Sequence, residues 1–260
     1  RAVTSLSATS SYKDILDKNI RQFTSTFYGG SDGFDVTEKE PFRNSSGGML
    51  SGKTEKTGYT FNSVKEAIDI VGDTEVVEFN LVAVPGLTHE GLTTHLIETV
   101  VDLKGDFAPS AEGSSGITYG TVTTTIANLK ARALNSSYAC TYYPWIQIRD
   151  TLYGNLVFMP PSVAAIGAMS YTDRVRAPWF APAGFNRGGL SSGVAGLPVV
   201  NVTQKLTSKD RDDLYEANIN PIASFPNEGI VIFGQKTLQV TRSALDRINV
   251  RRLLLFVKKG

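Results

Sequence analysis

From about residue 62 onward, apolar positions along this chain fall alternately into helical and strand-like spacing. Val64, Ala67, Ile68 and Val71 share one face of a helix, and Ser63 with Glu66 has capping-box spacing at its start. The run VVEFNLVAVPG at 76–86 is apolar, rich in β-branched residues and bounded by Pro85 and Gly86, which predicts a buried strand. Leu92, Leu96, Val100 and Leu103 mark a helix over 90–104, a Gly/Ser-rich loop follows over 105–120, and Val122, Ile126, Leu129 and Ala133 mark a further helix. YACTYYPWIQI at 138–148 predicts a second buried strand, and TLYGNLVFM a turn and short strand stopped by Pro160 and Pro161. Ser162 can cap a helix of small residues over 163–169, whose Ala and Gly permit close backbone approach. An extended Pro/Gly-rich segment leads to a helix near 208–216, a strand at GIVIFG (229–234) and a last helix over about 243–256. That last helix, with Leu253, Leu254, Leu255 and Phe256, is expected to bury Leu254 and its neighbours against the body. Ahead of all this lie a predicted helix at 12–20, a strand at 23–27 and a polar loop at 34–60 rich in Gly, Ser, Thr and Lys.

Helices alternating with apolar strands argue for an α/β fold, a layered domain whose mostly buried mixed sheet is flanked by helices. That domain is expected to span 75–260, with 1–74 as part of a second α+β domain at the N-terminal end. The 260 residues carry 41% apolar and 20% charged side chains, a globular balance. The net charge of +1 gives no electrostatic case for nucleic acid or an anionic membrane as main partner. No apolar run approaches the ~20 residues that cross a bilayer. Cys140 stands alone, so no intrachain disulfide forms, and its apolar strand setting predicts a buried, inert thiol in a reducing compartment.

Candidate chemistry is sparse. Gly47–Thr54 (GGMLSGKT) fits the P-loop pattern, which would make Gly52, Lys53 and Thr54 a nucleotide site. A working P-loop needs a buried strand before it and a helix leaving it, so that backbone N–H groups cradle phosphate at the helix start. PFRNSS and EKTGYTF supply neither, so the match reads as a surface loop. His89 and His95 are six residues apart, about 240° around a helix, and cannot chelate one ion from one face. No catalytic, cofactor-binding or metal-binding residues are assigned. The segment PWFAPAGFNRG (178–188) has a different character: rigid, aromatic and unable to be a helix or central strand. Trp179 and Arg187 are residue types enriched at interface hot spots. Trp179 and Phe180 read either as core plugs or as a contact surface. Arg247 and Arg251, flanking apolar residues on the last helix, read either as snorkelling over the core or as pairing with a neighbour's acidic patch.

Several blocks together resemble the contractile tail sheath proteins of bacteriophages and phage-derived bacteriocins. They are Phe27-Tyr28-Gly29-Gly30-Ser31-Asp32-Gly33, Val82-Ala83-Val84-Pro85-Gly86, Tyr142-Tyr143-Pro144-Trp145, Pro160-Pro161-Ser162 with Ala165-Ile166-Gly167 and Thr172-Asp173, and Ala181-Pro182-Ala183-Gly184. Leu214-Tyr215, Asn218-Ile219-Asn220-Pro221, Phe233-Gly234-Gln235-Lys236-Thr237-Leu238 and Ile248-Asn249-Val250-Arg251-Arg252-Leu253 continue them in family order. Residues 34–60 depart from the pattern by being longer than expected. The resemblance implies a structural protein without catalytic residues, metal or cofactor. Such a protein assembles with itself into a helical homo-oligomer around a tail tube protein, meets baseplate proteins, and contracts to drive the tube through the host envelope for genome ejection. It implies a virion component assembled in the host cytoplasm, with no direct nucleic-acid contact and no membrane insertion. Trp179, Arg187, Arg247 and Arg251 then become subunit-interface candidates. Opening on Arg1 and stopping at Gly260 after an apolar run, the chain is expected to be a central body without the terminal arms that link neighbours.

Overall fold

The computed structural model describes residues 41–44, 48–73, 75–101 and 121–258, the backbone of 108–111 and 259, and the isolated positions Lys13, Asp17, Asp35 and Thr37. The chain divides into two units, Arg1–Gly33 and Phe34–Gly260, and every element below belongs to the second. The helix predicted at 12–20 and the strand at 23–27 lie outside the described residues. In chain order the elements are α1 (Tyr59–Gly72), α2 (Glu90–His95) running into a π-helical turn (Leu96–Val101), β1 (Ala108–Ala111), α3 (Val122–Ala131), β2 (Ala139–Tyr143), β3 (Ile146–Arg149), β4 (Leu156–Met159), α4 (Pro161–Val175), β5 (Val199–Val202), α5 (Ser208–Glu216), β6 (Ile219–Phe225), β7 (Gly229–Ile232), a 3-10 turn (Ala244–Asp246) and α6 (Ile248–Lys259).

The central sheet has the order β1-β2-β6-β7, with β1, β2 and β6 parallel and β7 returning antiparallel. Side-chain alternation along β2 shows why its sequence is apolar throughout. Cys140 and Tyr142 pack with Ala164, Ala165, Ala168 and Met169 of α4, while Ala139 and Tyr143 pack with Leu129 of α3 and Leu214 of α5. Helices therefore cover both faces, and the layered mixed α/β fold is the one the pattern predicts. A second sheet, β4-β3-β5, is antiparallel, and Ile146 and Ile148 of β3 with Val199 and Val202 of β5 join the α4 side of the core. A separate apolar cluster joins α1 to α2 and the π turn through Phe61, Val64, Ile68, Leu92, Leu96 and Val100.

Local chemistry sets most boundaries. Pro161 opens α4 at the first helical position, where its missing N–H costs nothing. Gly167 then lets α4 touch the loop after it, for a Cβ there would stand 2.5 Å from the Ala195 carbonyl oxygen. Thr207 and Asp210 close a reciprocal capping box at the start of α5.

Several expectations are corrected. Residues 76–86 form no ladder strand; they run irregularly between turns at either end, partly buried, with Leu81 alone in a bridge. Their apolar side chains Phe79, Val82 and Val84 wall the α1 cluster instead of entering a sheet. YACTYYPWIQI is two strands in two sheets, because Pro144 has no N–H to continue a ladder. Helix α1 starts a turn before Ser63, at Tyr59, so that Phe61 joins the buried stripe, and Ala67 is exposed. Ser162 lies inside α4 rather than capping it, and α4 continues to Val175. Part of the predicted loop at 105–120 is β1. The last helix begins at Ile248, after Ser243 has capped only the short 3-10 turn. Leu254 is not buried: Ile248 and Arg252 are, and Leu254 is 40% exposed.

Candidate functional site

The Pro/Gly-rich segment after α4 is tied along β7 as a strap. Gly184 N–H donates to the Ile232 carbonyl (2.8 Å), Ile232 N–H to the Gly188 carbonyl (2.9 Å) and Leu190 N–H to the Ile230 carbonyl (2.7 Å). Gly188 must be glycine for this approach, since a Cβ would lie 2.7 Å from the Ile232 carbonyl oxygen. Arg187 closes the loop ahead of it: its Nε donates to the Ala181 carbonyl at 2.8 Å, and the guanidinium stands 5.4 Å from the Phe180 ring centroid. Trp179 leaves this strap half-exposed and meets Phe256 of α6 edge-on, with ring centroids 5.4 Å apart.

Helix α6 turns an unusual face inward. Arg252 is buried and donates two hydrogen bonds to the Asp173 carboxylate of α4, at 2.8 and 2.6 Å. Arg251 donates to the Ser137 hydroxyl, with its guanidinium 4.3 Å from the Tyr138 ring centroid. Arg247, just before the helix, donates to the Tyr215 hydroxyl and lies 3.3 Å from Asp246. Lys236 meets the same tyrosine, its Nζ donating to the Tyr215 carbonyl at 2.7 Å. Burial pushes the Lys236 ammonium below its ordinary range, Arg247 and Arg242 push the same way, and Asp246 and Glu216 oppose them.

The structure thus brings Trp179 to α6, gives Arg187, Arg247 and Arg251 partners within the chain, and leaves each of the four partly accessible. Sequence reasoning missed the outward side of α6, where Leu254, Phe256 and Val257 are exposed. The signal was present: the unbroken apolar run Leu253–Val257 cannot fit on one helix face. It also missed a triad of rings, Phe185, Phe225 and Phe233, with centroids 5.1 to 5.8 Å apart and Arg211 of α5 stacked over Phe225. These residues are scattered in sequence, and no local pattern joins them.

The P-loop-like stretch has the wrong geometry for phosphate. From Gly48 it is a series of turns in which Ser51 N–H bonds the Gly48 carbonyl and Lys53 N–H the Leu50 carbonyl, so these donors are spent internally. Helix α1 begins at Tyr59, six residues after Lys53, whose side chain is exposed. His89 caps α2 by accepting from Leu92 N–H, and His95 pairs with Asp69 at 2.5 Å, so the two imidazoles have separate structural tasks. Among the described residues no group of three or more His, Cys, Asp or Glu could hold a metal ion, and no helix is long and apolar enough to cross a membrane. An apolar groove of about 300 Å³ lies between α1 and the 82–84 segment, lined by Phe42, Val64, Ile68, Val82 and Leu96 with Ser63 at its edge. It lacks the convergent polar groups that orient a small-molecule ligand.

The described residues thus form a layered α/β body with a strap fixed along β7 and aromatic side chains exposed beside α6 and around Phe185. The family model described as the phage tail sheath protein central domain matches residues 58–238. The chain belongs to the phage tail sheath protein family. It is 28% identical over 273 residues to the tail sheath protein of Enterobacteria phage T4, covering 95% of this chain and 40% of that protein. It is 47% identical over 94 residues to the tail sheath protein of Vibrio phage KVP40, covering 36% of this chain and 13% of that protein. Among solved structures it is similar in fold to the PVC sheath complex of an extracellular contractile injection system in its contracted state. The TM-score there is 0.58 at 23% identity, over 76% of this chain and 49% of that one. The helical sheath of the anti-feeding prophage, also contracted, gives 0.55 at 22% identity, over 80% and 51% of the two chains. The chain therefore spans less than half the length of the curated relatives it matches.

Proposed function

We propose that this chain is the central body of a contractile tail sheath subunit. It assembles with copies of itself into a helical sleeve around a tail tube, is nucleated and triggered at a baseplate, and contracts to drive the tube through a host envelope for genome ejection. The observation that carries this reading is the family match over 58–238, which takes in the whole central sheet. Relatives of this fold were solved as sheath and baseplate assemblies, which supports self-association and a baseplate partner. The body is suited to the work. A sheet covered on both faces, a strap fixed to β7 and a helix anchored by the part-buried Arg252–Asp173 ion pair make a stiff unit, so interface changes convert to subunit rotation rather than internal strain. No catalytic step is required, because the free energy resides in the difference between two lattices. Trp179, Arg187, Arg247 and Arg251 stand as candidate contact residues, and the subunit acts within the virion after assembly in the host cytoplasm. Electron microscopy of the full-length gene product tests the reading: tubular polymers are expected, and a protein that stays dispersed under every assembly condition while binding nucleotide would overturn it.

A further inference from the structure

We infer that α6 is a latched element: it leaves the body as a unit while the sheets stay closed, and the Arg252–Asp173 ion pair is its latch. Surface helices are ordinarily held by an apolar stripe. In α4 that stripe is Ala164, Ala165, Ala168 and Met169, all buried. Helix α6 has no such stripe. Among its apolar side chains Ile248 is buried and Val250 and Leu255 are part-buried, but Leu253, Leu254, Phe256 and Val257 are exposed.

Its seat is polar instead, and incompletely paired. Ile248 N–H donates to the Gln235 carbonyl (2.9 Å), Asn249 Nδ2 reaches the Trp179 carbonyl only at 3.4 Å, and Arg251 donates to the Ser137 hydroxyl. Four buried atoms of this seat, Gln235 Oε1, Asn249 Oδ1, Arg251 Nε and Arg252 Nη1, have no hydrogen-bond partner among the described residues. A polar atom buried without a partner carries its desolvation cost while the helix is seated, and water returns that cost when the helix leaves. One contact opposes release. Arg252 Nη2 donates to both carboxylate oxygens of Asp173, at 2.8 and 2.6 Å, a charge-assisted pairing stronger than any neutral bond in the seat. The Arg252 side chain is 6% exposed and that of Asp173 36%, so the arginine withdraws while the carboxylate, already open to water, stays behind on α4. Latched, α6 belongs to the stiff body. Unlatched, it moves without parting a sheet, whatever lattice the body joins.

Hydrogen exchange on this chain, followed by mass spectrometry, tests the latch by comparing peptides over 248–258 with the β6 peptide over 219–225. In the parent, α6 amides corrected for intrinsic rate should exchange roughly tenfold or more faster than those of β6. Low urea should then speed β6 more steeply than α6, because opening the sheet exposes more surface. Asp173→Asn keeps the shape of the side chain and removes its charge. It should raise α6 exchange about tenfold, the scale of one hydrogen bond to a charged group, and leave β6 unchanged. Asn249→Ala removes only the long bond to Trp179 and should raise α6 exchange less than about threefold. Equal corrected rates and equal urea slopes for α6 and β6 in the parent would overturn separate release, and need no variant. A rise from Asp173→Asn shared equally by β6, or matched by Asn249→Ala, would overturn the latch.

Discussion

Asn220 sits fully buried in β6 and holds three backbone groups at once. Its Nδ2 donates to the Thr141 carbonyl (3.0 Å) and the Lys236 carbonyl (2.8 Å), and its Oδ1 accepts from Lys236 N–H (2.6 Å). The adjacent Pro221 occupies a strand position without an N–H to offer, so Asn220 supplies local hydrogen bonding that the ladder lacks there. Asn220→Leu should leave the Lys236 N–H buried and unpaired and cost about 3 kcal/mol, read from the midpoint of urea unfolding. An effect within ~0.5 kcal/mol would show the site relaxing to find other partners. At the opposite extreme, Lys53→Ala in the turn series should leave stability within ~0.5 kcal/mol of the parent, as at other exposed surface sites. Little of this was legible in the sequence. A buried asparagine beside a proline resembles a surface turn, and only the fold reveals that three backbone groups converge on it.

At the scale of elements, the pattern placed several helices and strands correctly. Helices α3 and α5 and the strand at 229–232 are where spacing placed them, and β2 is as buried as its composition implied. Failures have physical causes. Pro221 hid β6, because a proline in a run argues against a central strand. Residues 76–86 looked like a strand because a half-buried wall and a ladder strand require the same apolar residues. Close approach in α4 was legible from its small residues, and it gives a sharp expectation. Gly167→Ala, which elsewhere in a helix would gain about 1 kcal/mol, should instead destabilise by about 2 kcal/mol through contact with the Ala195 carbonyl. Differential scanning calorimetry should show the lower melting temperature. At α5, Thr207→Ala should cost about 1 kcal/mol. The Thr207 hydroxyl, then its backbone N–H, holds the Asp210 carboxyl below its ordinary value. A depressed carboxyl lends stability above its unfolded pKa of about 4 and loses it as pH falls through the folded value. Asp210→Asn should therefore lose less stability than the parent as pH falls below about 5.

For the whole molecule, the class of protein was legible in ordered motif blocks, while the cluster of Phe185, Phe225 and Phe233 was not, since residues far apart in sequence build it. A contact between single copies is weak until many are linked, so the isolated chain should sediment mainly as a monomer at about ten micromolar. A stable dimer resistant to high salt would instead point to a strong apolar contact between copies. Cys140 is the second residue of β2, paired with Pro109 of β1 and packed in the core with α4, and burial pushes its thiol far above the usual range. The body thus contains one chemical clock. A thiol-reactive dye can reach that sulfur only when the sheet parts, so its labelling rate, set against that of an unfolded peptide, reads the opening equilibrium directly. Followed through assembly and contraction of a full-length sheath, the same rate would register whether the subunits breathe as they turn or pass from one lattice to the other as closed blocks.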